Sequence, residues 1–303
     1  MGLLKEIKYS YREEPIHIKL IYINLFIFLI VNIIIAFIFL IFRNSQYYIA
    51  YFQNEVIGWL MVPASISKLI IKPWSIITYM FLHINLLHIL FNLLWLYMFG
   101  RLFLIFFNEK QLLGTYFMGG IFGAFLFVIA YNVFPGLSFM SENSQMLGAS
   151  AAIMAVAMAV SFYSPDYTVY LLLIGPVRLK YIALFFIITD ILQIASYNAG
   201  GHIAHLGGVI YAFYYILQIK KGKDLSYKIG NLLMNIKNPF KRKRSLRVSY
   251  KKSVQNMDDY EYNQYKAINQ KEIDRILEKI SKYGYDSLTK KEKEILFRYS
   301  KKE

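Results

Sequence analysis

Four of the five histidines in this 303-residue chain fall in two short clusters: His83 and His88 in HINLLHILFN, and His202 and His205 in GGHIAHLGG. Each cluster heads a long apolar stretch. A third apolar stretch opens with GASAA and sets Ser150 at a comparable position. Ionisable side chains within bilayer-like sequence cost a few kcal/mol or more unless they have a partner and a task, so their clustering marks a candidate functional site. A hydroxyl is a weak nucleophile at neutral pH and needs a neighbouring base, most often imidazole, so Ser150 beside a histidine points to hydrolysis. His88 and Asn92 are four residues apart and share one helix face. Two donors there suit a developing oxyanion, and the Ser150 N–H, at a helix start, offers a third. His205 is the candidate general base. His202, three residues earlier on nearly the same face, is open to the same role on geometry alone. Asp190 is an acid inside an apolar stretch. It reads either as a third member beside Ser and His or as a carboxyl that is protonated or hydrogen-bonded to a neighbouring helix.

The elements that must position these groups are membrane helices. Hydrophobic residues make up 57% of the chain and charged ones 17%, against roughly a quarter charged in soluble proteins. The absence of cysteine excludes disulfides and thiolate chemistry. Residues 1–18 mix both charges with Pro15 and show no small-residue cleavage pattern, so they read as a retained cytoplasmic segment before the first span. Six stretches are near the length of a span, 19–42, 84–107, 112–133, 147–163, 177–195 and 202–219, giving an all-α, six-helix membrane core over 19–219. Lys5, Lys8, Arg12, Arg101, Lys110, Arg178 and Lys180 fall on one side of that layout, which predicts both termini in the cytoplasm. The second, fourth and sixth spans then enter from the outer face with His88 and Asn92, Ser150, and His205 in their first turns. Ser150 and His205 are expected about 7 to 8 Å inside. Gly208 and Ala212 form a small-xxx-small pair facing Gly148, Ala149, Ala151, Ala152 and Ala155, which lets the fourth and sixth helices approach closely; Gly119 and Gly123 read as a packing notch. The connection 43–83 is too apolar for a solvated loop and is expected partly in the interface, with Trp59 and Trp74 reading equally as belt or packing residues.

From Lys220 onward the chain carries 23 Lys and Arg against 11 Asp and Glu, or +12 of its total +15. Residues 220–270 read as a basic, flexible linker. Within it KNPFKRKRSLR, directly after a membrane span, favours anionic lipid headgroups over nucleic acid. Residues 271–303 read as a cytoplasmic helical hairpin, with Ile273, Ile276, Leu277 and Ile280 at helical spacing, a stop at Gly284, and a capping box at Thr289 and Glu292.

The three motifs together, HINLLHILFN, GASA and AHLGG, resemble the rhomboid family of intramembrane serine proteases over about residues 50–219. The resemblance implies a Ser150/His205 dyad without an acidic third member, and oxyanion contacts from His88, Asn92 and the Ser150 amide. It further implies a structural role for His83, transmembrane proteins as substrates, and no metal or organic cofactor. A bacterial cytoplasmic membrane is the implied location, and SLTKKEKEILFRYSKK resembles a small helical module found after such cores in Bacteroidetes-type bacteria. Three positions depart from the family pattern: Ala151 replaces a frequent glycine, Met154 an aromatic residue, and Trp74-Ser75 a Trp-Arg pair. Two other readings remain at this level. One is a proteolytically inactive rhomboid-like binder of membrane helices; the other is a metal or haem protein ligated by His83, His88, His202 and His205.

Overall fold

The computed structural model describes residues 14–171, 174–196, 198–236, 270, 273–282 and 284–300; residues 1–13 and the polybasic run at 237–247 lie outside them. The chain divides into two compact units, Met1–Phe240 and Lys241–Glu303.

In the first unit, six helices lie on the six apolar stretches. Helix α1 (Ile16–Ile41) follows Pro15 and buries the stripe Leu20, Asn24, Phe28 and Val31, while Phe26 and Leu40 on its other faces are 64% and 78% exposed. That division suits a helix with one face on protein and the rest in lipid. Helix α2 (Leu86–Phe106) starts where the Asn85 carboxamide oxygen accepts from the Leu87 and His88 amides. Helix α3 (Glu109–Val133) starts on a full capping box between Asn108 and Gln111. Helix α4 (Ser150–Tyr163) is the centre of the unit: every residue from Ala151 to Ser161 is buried, with α2, α3, α5 (Leu179–Leu192) and α6 (Ala199–Lys220) packed round it. Its alanines permit that crowding. A Cβ on Gly208 of α6 would lie 2.3 Å from the Ala151 carbonyl oxygen, so α4 and α6 touch backbone to backbone.

Helices α1, α2, α3 and α6 are long and apolar enough to cross a membrane, which makes the chain an integral membrane protein. Helices α4 and α5 are shorter, with 14 residues each, or about 21 Å. The fold is mostly helical, yet two small antiparallel ladders depart from the all-α expectation. Strand β1 (Val62–Pro63) pairs with β2 (Gln145–Met146), Val62 opposite Met146, and β3 (Thr168–Leu171) pairs with β4 (Gly175–Arg178). These strands were too short to give an alternating pattern in the sequence.

The first ladder fastens the connection 43–83 over the start of α4. Lys72 Nζ, Trp74 Nε1 and Thr78 Oγ1 donate to the consecutive carbonyls of Gly58, Trp59 and Leu60. Ser65 Oγ donates to Glu142 at 2.8 Å, Lys68 pairs with the same carboxylate, and Asn132 Nδ2 donates to the Ala64 carbonyl at 2.8 Å. The Ser65 hydroxyl, then the Lys68 ammonium, hold the Glu142 carboxyl below its usual range. Trp59 and Trp74 stack on each other at 6.0 Å with an interplanar angle of 8°, each about half exposed, so they are packing residues and surface residues at once.

Part of the expected flexible linker is helical. Helix α7 (Leu225–Ile236) packs on α3, with Ser226 buried between Thr115 and Tyr211 at 3.0 and 2.7 Å and Asp224 accepting from Gln111 at 2.6 Å. In the second unit, residues 273–282 are helical, Gly284 turns the chain at φ +79°, and a further helix runs over Lys290–Ser300. The Thr289 amide donates to Glu292, whose amide donates back to the Thr289 hydroxyl, and Lys279 pairs with Glu292 at 2.9 Å.

Candidate active site

Ser150 stands at the first residue of α4, because the chain before it is held in another conformation. Residues 145–146 belong to β2, and Gly148 adopts φ +120°, a backbone angle that side-chain-bearing residues rarely take. The Gly148 amide donates to the Tyr79 carbonyl at 2.9 Å, and Tyr79 in turn donates its hydroxyl to the Gly120 carbonyl at 2.6 Å. A Cβ on Gly148 would lie 2.8 Å from His88 Cε1, so the glycine is also the floor under that ring. Starting the helix at Ser150 leaves the amides of its first turn without intrahelical acceptors and turns the positive end of α4 toward the cavity.

His83 is fully buried and uses Nε2 twice, accepting from Asn92 Nδ2 at 2.8 Å and from the Ala149 amide at 3.4 Å. A ring nitrogen that accepts carries no proton, so this imidazole is the Nδ1–H tautomer. It ties the first turns of α2 to the residue that precedes Ser150. His88 lies edge-on to it at 5.1 Å.

Two cavities meet at Ser150. One, of about 380 Å³, is lined by His88, Asn92, Gly148, Ser150 and His205. The other, of about 250 Å³, is lined by Asn92, Ser150, Met154, Asp190, His202 and His205. Ser150, Asn92 and His205 border both, whereas His88 borders only the first and His202 only the second. Met154 is buried and faces the second cavity with the two histidines. Among the described residues, Ser150 Oγ makes no hydrogen bond to either imidazole.

The sequence reading left Asp190 with two roles, and its partners turn out to be both histidines of the second cluster. Asp190 sits near the end of α5 and faces α6, where one carboxylate oxygen, Oδ1, lies 2.8 Å from His202 Nδ1 and 2.9 Å from His205 Nδ1. Its side chain is 5% exposed, and its second oxygen is buried without a partner. No sequence spacing ties 190 to 202 and 205, since the chain turns between two helices to join them. The donor atoms of Asp190, His202 and His205 lie within 4.8 Å of one another, and this is the cluster among the described residues that could hold a cation. His83 and His88 stand outside it, so the four-histidine ligand set does not come together.

Residues 71–221, about half of the chain, match the Rhomboid domain, and residues 256–302 match a family of unknown function, DUF6576. The RHOMBOID-like protein 12, mitochondrial, of Arabidopsis thaliana is 32% identical over 158 residues, which cover 49% of this chain and 47% of the relative. The chain thus spans about half the length of that relative.

Proposed function

Because its Rhomboid domain makes this chain a member of the rhomboid family, we propose that it is an intramembrane serine endopeptidase that cleaves transmembrane segments of other proteins. The observation that carries this reading is the meeting of Ser150, His205 and Asn92 at the border of two cavities, with His88 facing the same serine from α2. In the proposed reaction His205 Nε2 takes the Ser150 hydroxyl proton as Oγ bonds to the scissile carbonyl carbon. The Ser150 amide, His88 and Asn92 donate to the oxygen that becomes negative. Asn92 has a second N–H for this task while its first is held by His83. The tetrahedral adduct breaks its C–N bond, and the imidazolium hands its proton to the leaving amine. Water then loses a proton to His205, attacks the acyl-serine, and releases the carboxylic acid with Ser150 restored. The resting Ser150 and His205 border the same two cavities without a direct hydrogen bond, and catalytic contacts commonly tighten only on substrate.

A helical substrate shields its peptide bonds in backbone hydrogen bonds, so a segment with small or helix-breaking residues at the cut suits this site. We place α4 and α5 across the bilayer with the four longer helices, giving six spans with both termini in the cytoplasm, in a bacterial cytoplasmic membrane. The basic tail is placed on anionic headgroups, and the helical residues 273–282 and Lys290–Ser300 are placed in the cytoplasm as a hairpin. The test is cleavage of a model transmembrane substrate by the purified protein in detergent. Loss of cleavage in Ser150→Ala is expected; undiminished cleavage by that variant contradicts the proposal.

A further inference from the structure

We propose that Asp190 is the positioning residue of the catalytic base, so that the site works as Ser150–His205–Asp190 rather than as a bare dyad. The inference rests on the protease reading above. A buried carboxylate is costly unless it is hydrogen-bonded, and Asp190 has spent one oxygen on two imidazoles of the same helix. A carboxylate oxygen only accepts, so it selects the Nδ1–H tautomer in both rings. For His205 this leaves the Nε2 lone pair as the free nitrogen of a ring that borders both cavities with Ser150. The tautomer and the tilt of the base are therefore set from α5, a helix that contributes no group to the proposed oxyanion site. When Ser150 gives up its proton, the imidazolium forms with its second N–H already directed at Asp190 Oδ1, which stabilises the new charge without reorganisation. Asp190 itself gains no proton. His202 shares the same oxygen and holds the carboxylate against α6 from the neighbouring turn, yet it borders only the second cavity.

A tether between α5 and α6 with no part in the chemistry would use the same hydrogen bonds, so the test must separate the two. Cleavage of a model transmembrane substrate is measured with the full chain in detergent for the wild type, Ser150→Ala, Asp190→Asn and Asp190→Ala, along with thermal unfolding. Both Asp190 variants are expected to lose about 100-fold or more in kcat, the range of a disabled general base, with KM little changed; Asp190→Ala should also lower the unfolding midpoint, because two imidazoles lose their buried acceptor. Should either variant fail to fold, ¹⁵N-histidine NMR of the wild type tests the tautomer on which the positioning role depends: His205 is expected with Nδ1 protonated and Nε2 bare. Wild-type rates in a folded Asp190→Asn, or an Nε2–H tautomer in the wild type, overturn the positioning role while leaving the protease reading intact. Cleavage by Ser150→Ala overturns that reading itself. Activity that disappears on chelation and returns with zinc also overturns the inference, because a metal on the Nδ1 atoms would force the His205 proton onto Nε2.

Discussion

His88 is placed by the Asn85 side-chain cap that starts α2 and by the bare Cα of Gly148 beneath its ring. Removing the ring should act on the transition state alone. His88→Ala is expected to lower kcat by about 100- to 1000-fold, the loss typical of one oxyanion donor, with a nearly unchanged KM. Gly148→Ala tests the floor. The φ of +120° and the 2.8 Å approach to His88 mean that an added methyl both strains the backbone and pushes the ring aside. We expect a thermal destabilisation of about 1–3 kcal/mol together with a fall in kcat. The residue types at the site were legible because His, Ser and Asn are rare guests in apolar sequence and stood in short motifs. What spacing could not reveal was how they are wired. His83 binds the Ala149 amide 66 positions away, and Asp190 on α5 binds two histidines of α6. Those pairings depend on which helix faces pack together, and only the fold supplies that.

At the scale of elements, the decisive contact is α4 against α6. Gly208→Leu should drive the helices apart, because the new side chain would begin 2.3 Å from the Ala151 carbonyl. A lowered unfolding midpoint and lost cleavage are the expected outcome. The six apolar stretches gave the helices to within a few residues, since hydrophobicity over some 20 residues is a strong signal. Helix α7 is hidden in the sequence because its twelve residues are framed by lysines and a basic run, so composition masks its apolar face. Its anchor is polar: Ser226→Ala leaves Thr115 and Tyr211 without their buried partner, at an expected cost of about 1–3 kcal/mol, readable in the thermal unfolding of the protein. In the second unit, the Thr289 amide first, then Lys279, hold the Glu292 carboxyl down to about 2. A carboxyl lowered in the folded state contributes stability that is present above its ordinary value of 4.5 and lost as the pH falls toward 2. Amide exchange over Lys290–Ser300 should accelerate across that window, and Glu292→Gln should remove the dependence.

At the scale of the whole molecule, charge asymmetry and helix count make a topological claim that the protein itself can answer. This 303-residue chain contains no cysteine, so a single introduced one is a clean reporter. Asn143→Cys, beside the clasp at Glu142, should react with a membrane-impermeant maleimide in intact cells if that side faces outward as proposed. Tyr170→Cys, on the exposed β3, should react only after the membrane is opened. The opposite pattern would invert the membrane orientation, and labelling of both in intact cells would remove the six-span layout. The cavities, the α4 start and the cap over it all converge on one hydroxyl, so the central claim concerns how reactive that hydroxyl is. It is tested most directly by treating the purified protein with a fluorophosphonate and locating the adduct by mass spectrometry. Phosphonylation is expected at Ser150, lost in Ser150→Ala and nearly lost in His205→Ala. An unmodified Ser150, or modification that proceeds as fast without His205, would contradict it.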